Sequence, residues 1–414
     1  MGRKKAWGRS TWLLALCWLV YTASLLGKVN YAANISQIEE FFKVSHARAG
    51  VASTCYFFAY GIGQVVNGVC CKRYNVRYAI FGGLLVSAAA NLCVPVIGNF
   101  ELIPYFWLVN GFALSMLWPC LIRLLSETLP KQEMVRASVV MGTTTAVGTV
   151  LVYSSSALFA AVTTFHAAFY LAAILVPVVA IVWLLAYPAL TRKDEGQPAE
   201  EEVAPAPTQT QQTGGKASKE MLVVICLLAL FAIAVNLLMD GSRTWVPSIL
   251  KENFALDASF SILLTLCLPL VSIFGNFFAN VLYKKTKNFV MSIGLLFFGA
   301  ALFIVGVLFS LSISSFVLCI ACFALVSFLT GSCNSTITSI FPLQMKGKVN
   351  SGMIAGVLNG FCYVGSTISS YGLGLVADFW GWEAVFYLFL AVAIAVTVIA
   401  GVYCFINGLI KKRK

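Results

Sequence analysis

Twelve long apolar stretches dominate this chain, near residues 11–37, 48–70, 77–97, 102–125, 137–161, 166–190, 220–249, 259–283, 289–311, 314–338, 350–377 and 384–409. A bilayer core about 30 Å thick needs about 20 apolar residues per crossing helix. The pattern predicts an all-α integral membrane protein with 12 transmembrane helices. Composition agrees, with 60% hydrophobic and 11% charged residues, against roughly 45–50% and about 25% in soluble domains. So few charges cannot cover a water-facing surface. A soluble enzyme, a disordered chain and a nucleic-acid binder are excluded despite the net charge of +12.

That charge is a topology signal. The N-terminus, every second connection and the C-terminus together hold 22 Lys and Arg, whereas the other connections hold only Lys43, Arg48 and Lys251. The positive-inside rule then places both termini in the cytoplasm of a cell (cytoplasmic, or inner) membrane. Three bases remain inside spans, Lys28, Arg123 and Arg243, with a single acid, Asp240. The thirteen cysteines lie mostly in apolar helices without a disulfide-framework spacing, and Cys319 and Cys322 read as packing residues. The first stretch is expected to be retained, since Tyr31-Ala-Ala33 is a poor cleavage site.

The segment 191–219 breaks the membrane pattern. Rich in Pro, Gln, Thr, Ala and Glu and free of aromatics, it is expected to be a disordered cytoplasmic linker. It separates two six-helix bundles, 1–190 and 220–414. These repeat: Ser36, Glu40 and Phe42 return as Ser248, Glu252 and Phe254 at one offset, and that offset sets Lys28 opposite Asp240. Parallel repeats with a polar site near the midplane suit two bundles that rock to expose it alternately. Gly142, Gly148, Gly352, Gly356 and Gly360 are read as close-approach positions between helices.

A charge near the bilayer centre costs at least ~2.5–3.5 kcal/mol on insertion scales, so the intramembrane charges are the candidate site. Asp240 and Arg243 share a helix face at i and i+3 and can pair, leaving Lys28 to seek an anion from outside the protein. Alternatively, Lys28 and Asp240 bridge the halves. Asn30 and Tyr31 in span one, Tyr60 and Gln64 in span two and Thr145 in span five supply donors suited to oxyanion or polyol oxygens. Arg123, after Trp118-Pro119, is read as a gate or cytoplasmic anchor, with Arg73 and Arg77. His46 and His166 fall at the outer rim and receive no chemistry. No metalloprotease, nucleotide-binding or Ser-His-Asp pattern is present, so no catalytic residue, metal or cofactor is assigned and gradients are expected to drive the cycle.

Several motifs resemble the major facilitator superfamily and, within it, the organophosphate:phosphate antiporters that exchange glycerol phosphate and sugar phosphates. They are Lys28-Val-Asn30-Tyr31, Gly61-Ile-Gly63-Gln64 through Arg73-Tyr-Asn75-Val-Arg77, Met116-Leu-Trp118-Pro119 with Arg123, Trp245-Val-Pro247-Ser248 through Asp257, Gly360-Phe-Cys-Tyr363-Val-Gly365 and Asp378-Phe-Trp-Gly381-Trp382. The resemblance implies two six-helix bundles related by a pseudo-two-fold axis. It also implies two phosphate-binding arginines, in spans one and seven. Here those positions align with Lys28 and Met239, with Arg243 one turn beyond the latter. The family's span-two lysine aligns with Gln64 and its span-five histidine with Thr145.

The combined reading is a secondary active transporter that moves a small anionic or phosphorylated metabolite by alternating access. An antiporter is favoured, because an empty return leaves Lys28 uncompensated. One alternative is a proton- or cation-coupled symporter of a sugar, nucleoside or drug-like solute, with Asp240 as the coupling site. Another is a transporter-like membrane sensor. The partners expected are the anionic solute and the lipid bilayer, with no nucleic acid and no obligate protein partner.

Overall fold

A computed structural model of the chain describes residues 8–70, 73–191, 219–345 and 351–413. The expected linker lies outside them except for its end residues Thr191 and Lys219. Lipid offers the backbone no hydrogen bonds, so helices that satisfy their own are the natural outcome for such a sequence. Among the described residues there is no strand. The first half runs α1 (Arg9–Ala33), α2 (Ile35–Phe42), α3 (His46–Cys70), α4 (Val76–Ile97), α5 (Ile103–Ser115), α6 (Leu117–Thr128), α7 (Met134–Val162) and α8 (His166–Thr191). The second runs α9 (Lys219–Phe254), α10 (Ala258–Thr265), α11 (Cys267–Thr286), α12 (Phe289–Ser312), α13 (Phe316–Ser335), a π-helical turn Thr336–Ile340, α14 (Phe341–Gln344) and α15 (Ser351–Arg413). Among the described residues, eleven helical stretches are long and apolar enough to cross a membrane, the last being Met353–Asn407. At 1.5 Å per residue that last stretch would run about 80 Å. Gly381, at φ 77° and ψ 174°, breaks it into two crossings, giving twelve.

Local chemistry sets the boundaries. The side chains of Asn75, Asn288 and Ser315 accept backbone N–H bonds at the starts of α4, α12 and α13. Span one ends earlier than the apolar pattern suggests: Asn34 leaves the helical region at φ −107°, ψ 12°, and α2 restarts at Ile35. Spans four and eight are each broken, at Met116 and Leu266, three residues before Pro119 and Pro269.

The chain clusters into two compact units. One holds the chain through Asn30, Ala59–Val152 and the span beginning at His166. The other holds Tyr31–Phe58, Tyr153–Phe165 and the second half from α9 onward. In the first unit α4 packs against α8 and α5, with Trp107, Phe169 and Trp183 fully buried. A Cβ at Gly148 would meet the Leu25 side chain at 2.8 Å, so α7 approaches α1 closely there. Gly142, Gly356 and Gly360 face open space and mark no such contact. In the second unit α9 packs on α15, and α13 lies against α11 and α12. Cys319 and Cys322 are buried free thiols within α13.

Candidate functional site

Lys28 lies in the last two turns of α1, and its neighbours fix it there. The Gly27 carbonyl accepts bonds from Asn91 and Asn110 at 3.2 and 2.8 Å, and Asn30 donates to Asn91 at 2.6 Å. Asn30 is thus buried in a polar network that ties α1 to α4 and α5. The half-buried Lys28 places Nζ 4.3 Å above the Tyr60 ring, a cation–π contact. Tyr60 neighbours Tyr21, whose ring lies 4.8 Å from that of Trp118. The cation therefore sits at one end of an aromatic wall. On α7, Thr143 accepts from Trp18 at 2.9 Å, while Thr145 is exposed.

The second charged pair lies within the other unit. Arg243 Nη1 is 3.7 Å from Asp240 Oδ1, the i,i+3 pairing that the sequence allows. Ser366 of α15 donates to Asp240 Oδ2, and Arg243 Nη2 reaches Ser272 of α11 at 3.5 Å. Both charged side chains keep some exposure, 18% for Asp240 and 28% for Arg243. Asn334 accepts from Cys362 at 3.6 Å, and Asn236 spends its amide on the Ala232 carbonyl. One face of α9 therefore presents a carboxylate and a guanidinium side by side.

Two of the candidate residues, Gln64 and Arg77, share another task with Tyr153. A proline has no N–H, so the carbonyl four residues earlier loses its helical partner, and in a membrane a neighbour must replace it. Pro119 frees Ser115, whose carbonyl accepts from Gln64 Nε2 at 3.3 Å. Pro188 frees Leu184, whose carbonyl takes two bonds from Arg77, at 3.0 and 2.7 Å. Pro247 frees Arg243, whose carbonyl accepts from the Tyr153 hydroxyl at 2.9 Å. Gln64, Arg77 and Tyr153 thus stabilise proline breaks. Arg77 also borders a cavity of about 540 Å³ with Arg123, Glu127 and Tyr187, in which Arg123 pairs with Glu127 at 2.7 Å. Arg73 is exposed in the turn before α4.

A family model described as the Major Facilitator Superfamily matches residues 17–350 and 241–409. The chain belongs to that superfamily. A probable hexose phosphate transport protein of Chlamydia pneumoniae is 26% identical over 377 residues, covering 84% of this chain and 80% of its relative. The membrane sensor protein UhpC of Escherichia coli is 23% identical, with 93% and 89% covered. Among solved structures, an inward-facing, unoccupied bacterial homologue of the human lysosomal transporter Spinster superposes with a TM-score of 0.77 at 14% identity, covering 98% and 97%. The nucleoside transporter NupG gives 0.69 at 12%, covering 94% and 99%. These two likenesses concern the fold alone.

This facilitator also carries a polar cluster that the sequence reading left without chemistry. His46 opens α3 with Nδ1 3.0 Å from Glu39 Oε1 and Nε2 3.4 Å from Glu252 Oε2. Ser248 donates to Glu39 at 3.1 Å and Trp382 Nε1 to Glu252 at 2.7 Å. Lys251 pairs with Glu40, and the Asp378 carboxylate accepts the His46 and Ala47 amides, both at 2.9 Å. The repeated segments 36–42 and 248–254 meet here. Tyr31, fully buried, donates its hydroxyl to Ala49 at 2.9 Å and joins α1 to α3 just below the cluster. The carboxyl of Glu39 is raised above its ordinary value, chiefly by burial and against the pull of His46. One sequence signal points here: acids are scarce in the chain, yet Glu40 recurs as Glu252 at the repeat offset, with Glu39 beside it.

Proposed function

We propose that this facilitator is a secondary transporter, not an enzyme, that moves a small phosphorylated metabolite such as a sugar phosphate across the cytoplasmic membrane by alternating access. The observation that carries the reading is a half-buried lysine held against an aromatic wall in one unit, with an acid–guanidinium pair in the other. Lys28 binds the phosphoryl group as a point charge. The partly exposed Tyr21 and Trp118 rings offer flat faces to a sugar ring. Within the other unit, Asp240, positioned by Ser366, and Arg243 form a second charged pair that serves the transport cycle. The hexose phosphate relatives support this choice of substrate. Exchange is the favoured cycle, since a bound anion lowers the cost of carrying the Lys28 charge past the bilayer centre. The 22-to-3 asymmetry in basic residues supports cytoplasmic termini, and the two bundles 1–190 and 220–414 are the moving parts.

A thermal-shift screen of purified protein against organic phosphates, carboxylates, neutral sugars and nucleosides tests the reading, because a ligand that binds the native state raises its stability. Stabilisation by sugar phosphates that vanishes in Lys28→Ala supports it. A response confined to neutral or cationic compounds moves the assignment to an Asp240-coupled symporter. The match to UhpC favours a second reading, a membrane sensor, in which the same ligands bind but reconstituted protein carries no flux.

A further inference from the structure

We infer that His46 is a proton-binding latch: as an imidazolium it clamps the turn between α1 and α3 onto α9, and loss of its proton releases that end of the two helices. An ionised carboxylate can only accept hydrogen bonds. Glu39 faces one ring nitrogen and Glu252 the other, so both bonds form only when the ring carries both protons. The donor atoms lie within 4.8 Å of one another, yet the two ring nitrogens address different carboxylates, which is a proton-sharing chain rather than a coordination sphere.

The surroundings make the ring a mechanical link. Trp382 lies 4.8 Å and Trp245 5.8 Å from it, ring to ring. A Cβ at Gly374 of α15 would come within 2.7 Å of the His46 carbonyl, so the two backbones touch. The charged groups facing the ring are Glu39 from α2 and Glu252 from α9. Glu40 and Lys251 pair beside them, and Asp378 of α15 is occupied by the start of α3. Deprotonation therefore leaves two carboxylates across a neutral ring, with at least one bond lost.

The signs define a window. The latch is complete while His46 is protonated and Glu39 ionised. It weakens as pH rises through the His46 titration, and again in acid once Glu39, already raised by burial, takes a proton. The device gives transport a pH dependence separate from Asp240 and independent of the substrate proposed above.

Hydrogen–deuterium exchange of the full-length purified protein, corrected for intrinsic rates and recorded from pH 5 to pH 10, reads the latch without any ligand. Protection of amides in 35–58 is expected to fall roughly tenfold or more on the alkaline side, as charge-assisted bonds are lost, while 76–97 stays protected and reports the intact fold. In His46→Gln the alkaline fall disappears, and in Glu252→Gln it moves to lower pH. A flat wild-type profile, an alkaline fall that survives H46Q, or one unmoved by E252Q overturns the proposal.

Discussion

Replacing Tyr153 by Phe removes one oxygen and, with it, the donor to the carbonyl that Pro247 leaves unpaired. The hydroxyl stands 2.9 Å from the Arg243 carbonyl, and Tyr153 is 2% exposed, so water cannot substitute. An unsatisfied buried acceptor costs about 1–3 kcal/mol. Hydrogen bonds measured between membrane helices average about 0.6 and reach about 1.7 kcal/mol. The expected loss for Y153F is therefore about 1 kcal/mol, or roughly fivefold in the unfolding equilibrium. The proline supplies the control. In Pro247→Ala the new N–H bonds the Arg243 carbonyl within the helix, so adding Y153F there should cost only a few tenths of a kcal/mol. A double-mutant cycle in mixed detergent, followed by reversible SDS unfolding, measures the difference. Equal losses in both backgrounds would refute the claim that Tyr153 serves the proline break.

Arg77→Lys replaces a two-bond fork with a point charge and should lower stability by about 1 kcal/mol, recoverable by Pro188→Ala and read in the same unfolding assay. Lys28→Arg should retain sugar-phosphate binding within about tenfold, because the charge and a donor fork remain, whereas Lys28→Ala should abolish the calorimetric signal. Asp240→Asn keeps the Ser366 contact but loses the charge facing Arg243. Exchange should persist with a roughly tenfold change in apparent affinity; complete loss of accumulation with exchange intact would instead identify Asp240 as an ion-coupling site.

The membrane spans were legible because lipid makes hydropathy and backbone satisfaction the deciding terms. Even the break at Gly381 falls between two separate apolar stretches. The Asp240–Arg243 pair was legible for a local reason, the three-residue spacing on one helix. What failed to show was non-local. The positions of Pro119, Pro188 and Pro247 say which carbonyl is freed, but nothing in the chain order says that Gln64, Arg77 and Tyr153 come to serve them. Among the residues read as site residues, Gln64 donates its amide to the Ser115 carbonyl at the break before α6, and Asn30 donates its amide to Asn91 of α4. His46 reads as a plain rim residue in the sequence because its partners lie on α2, α9 and α15, three segments that only the folded chain brings together. The early end of span one at Asn34 is a related case: Asn34 donates to Ser156 at 2.9 Å, a tertiary bond that hydropathy does not register.

The most direct test of the transport assignment is counterflow in proteoliposomes preloaded with unlabelled glucose 6-phosphate and given labelled glucose 6-phosphate outside. Transient, saturable uptake that needs the internal load and disappears in Lys28→Ala is the expected result. Uptake of neutral sugar or nucleoside in place of the phosphate ester, or phosphate-ester uptake unchanged in Lys28→Ala, would contradict the account.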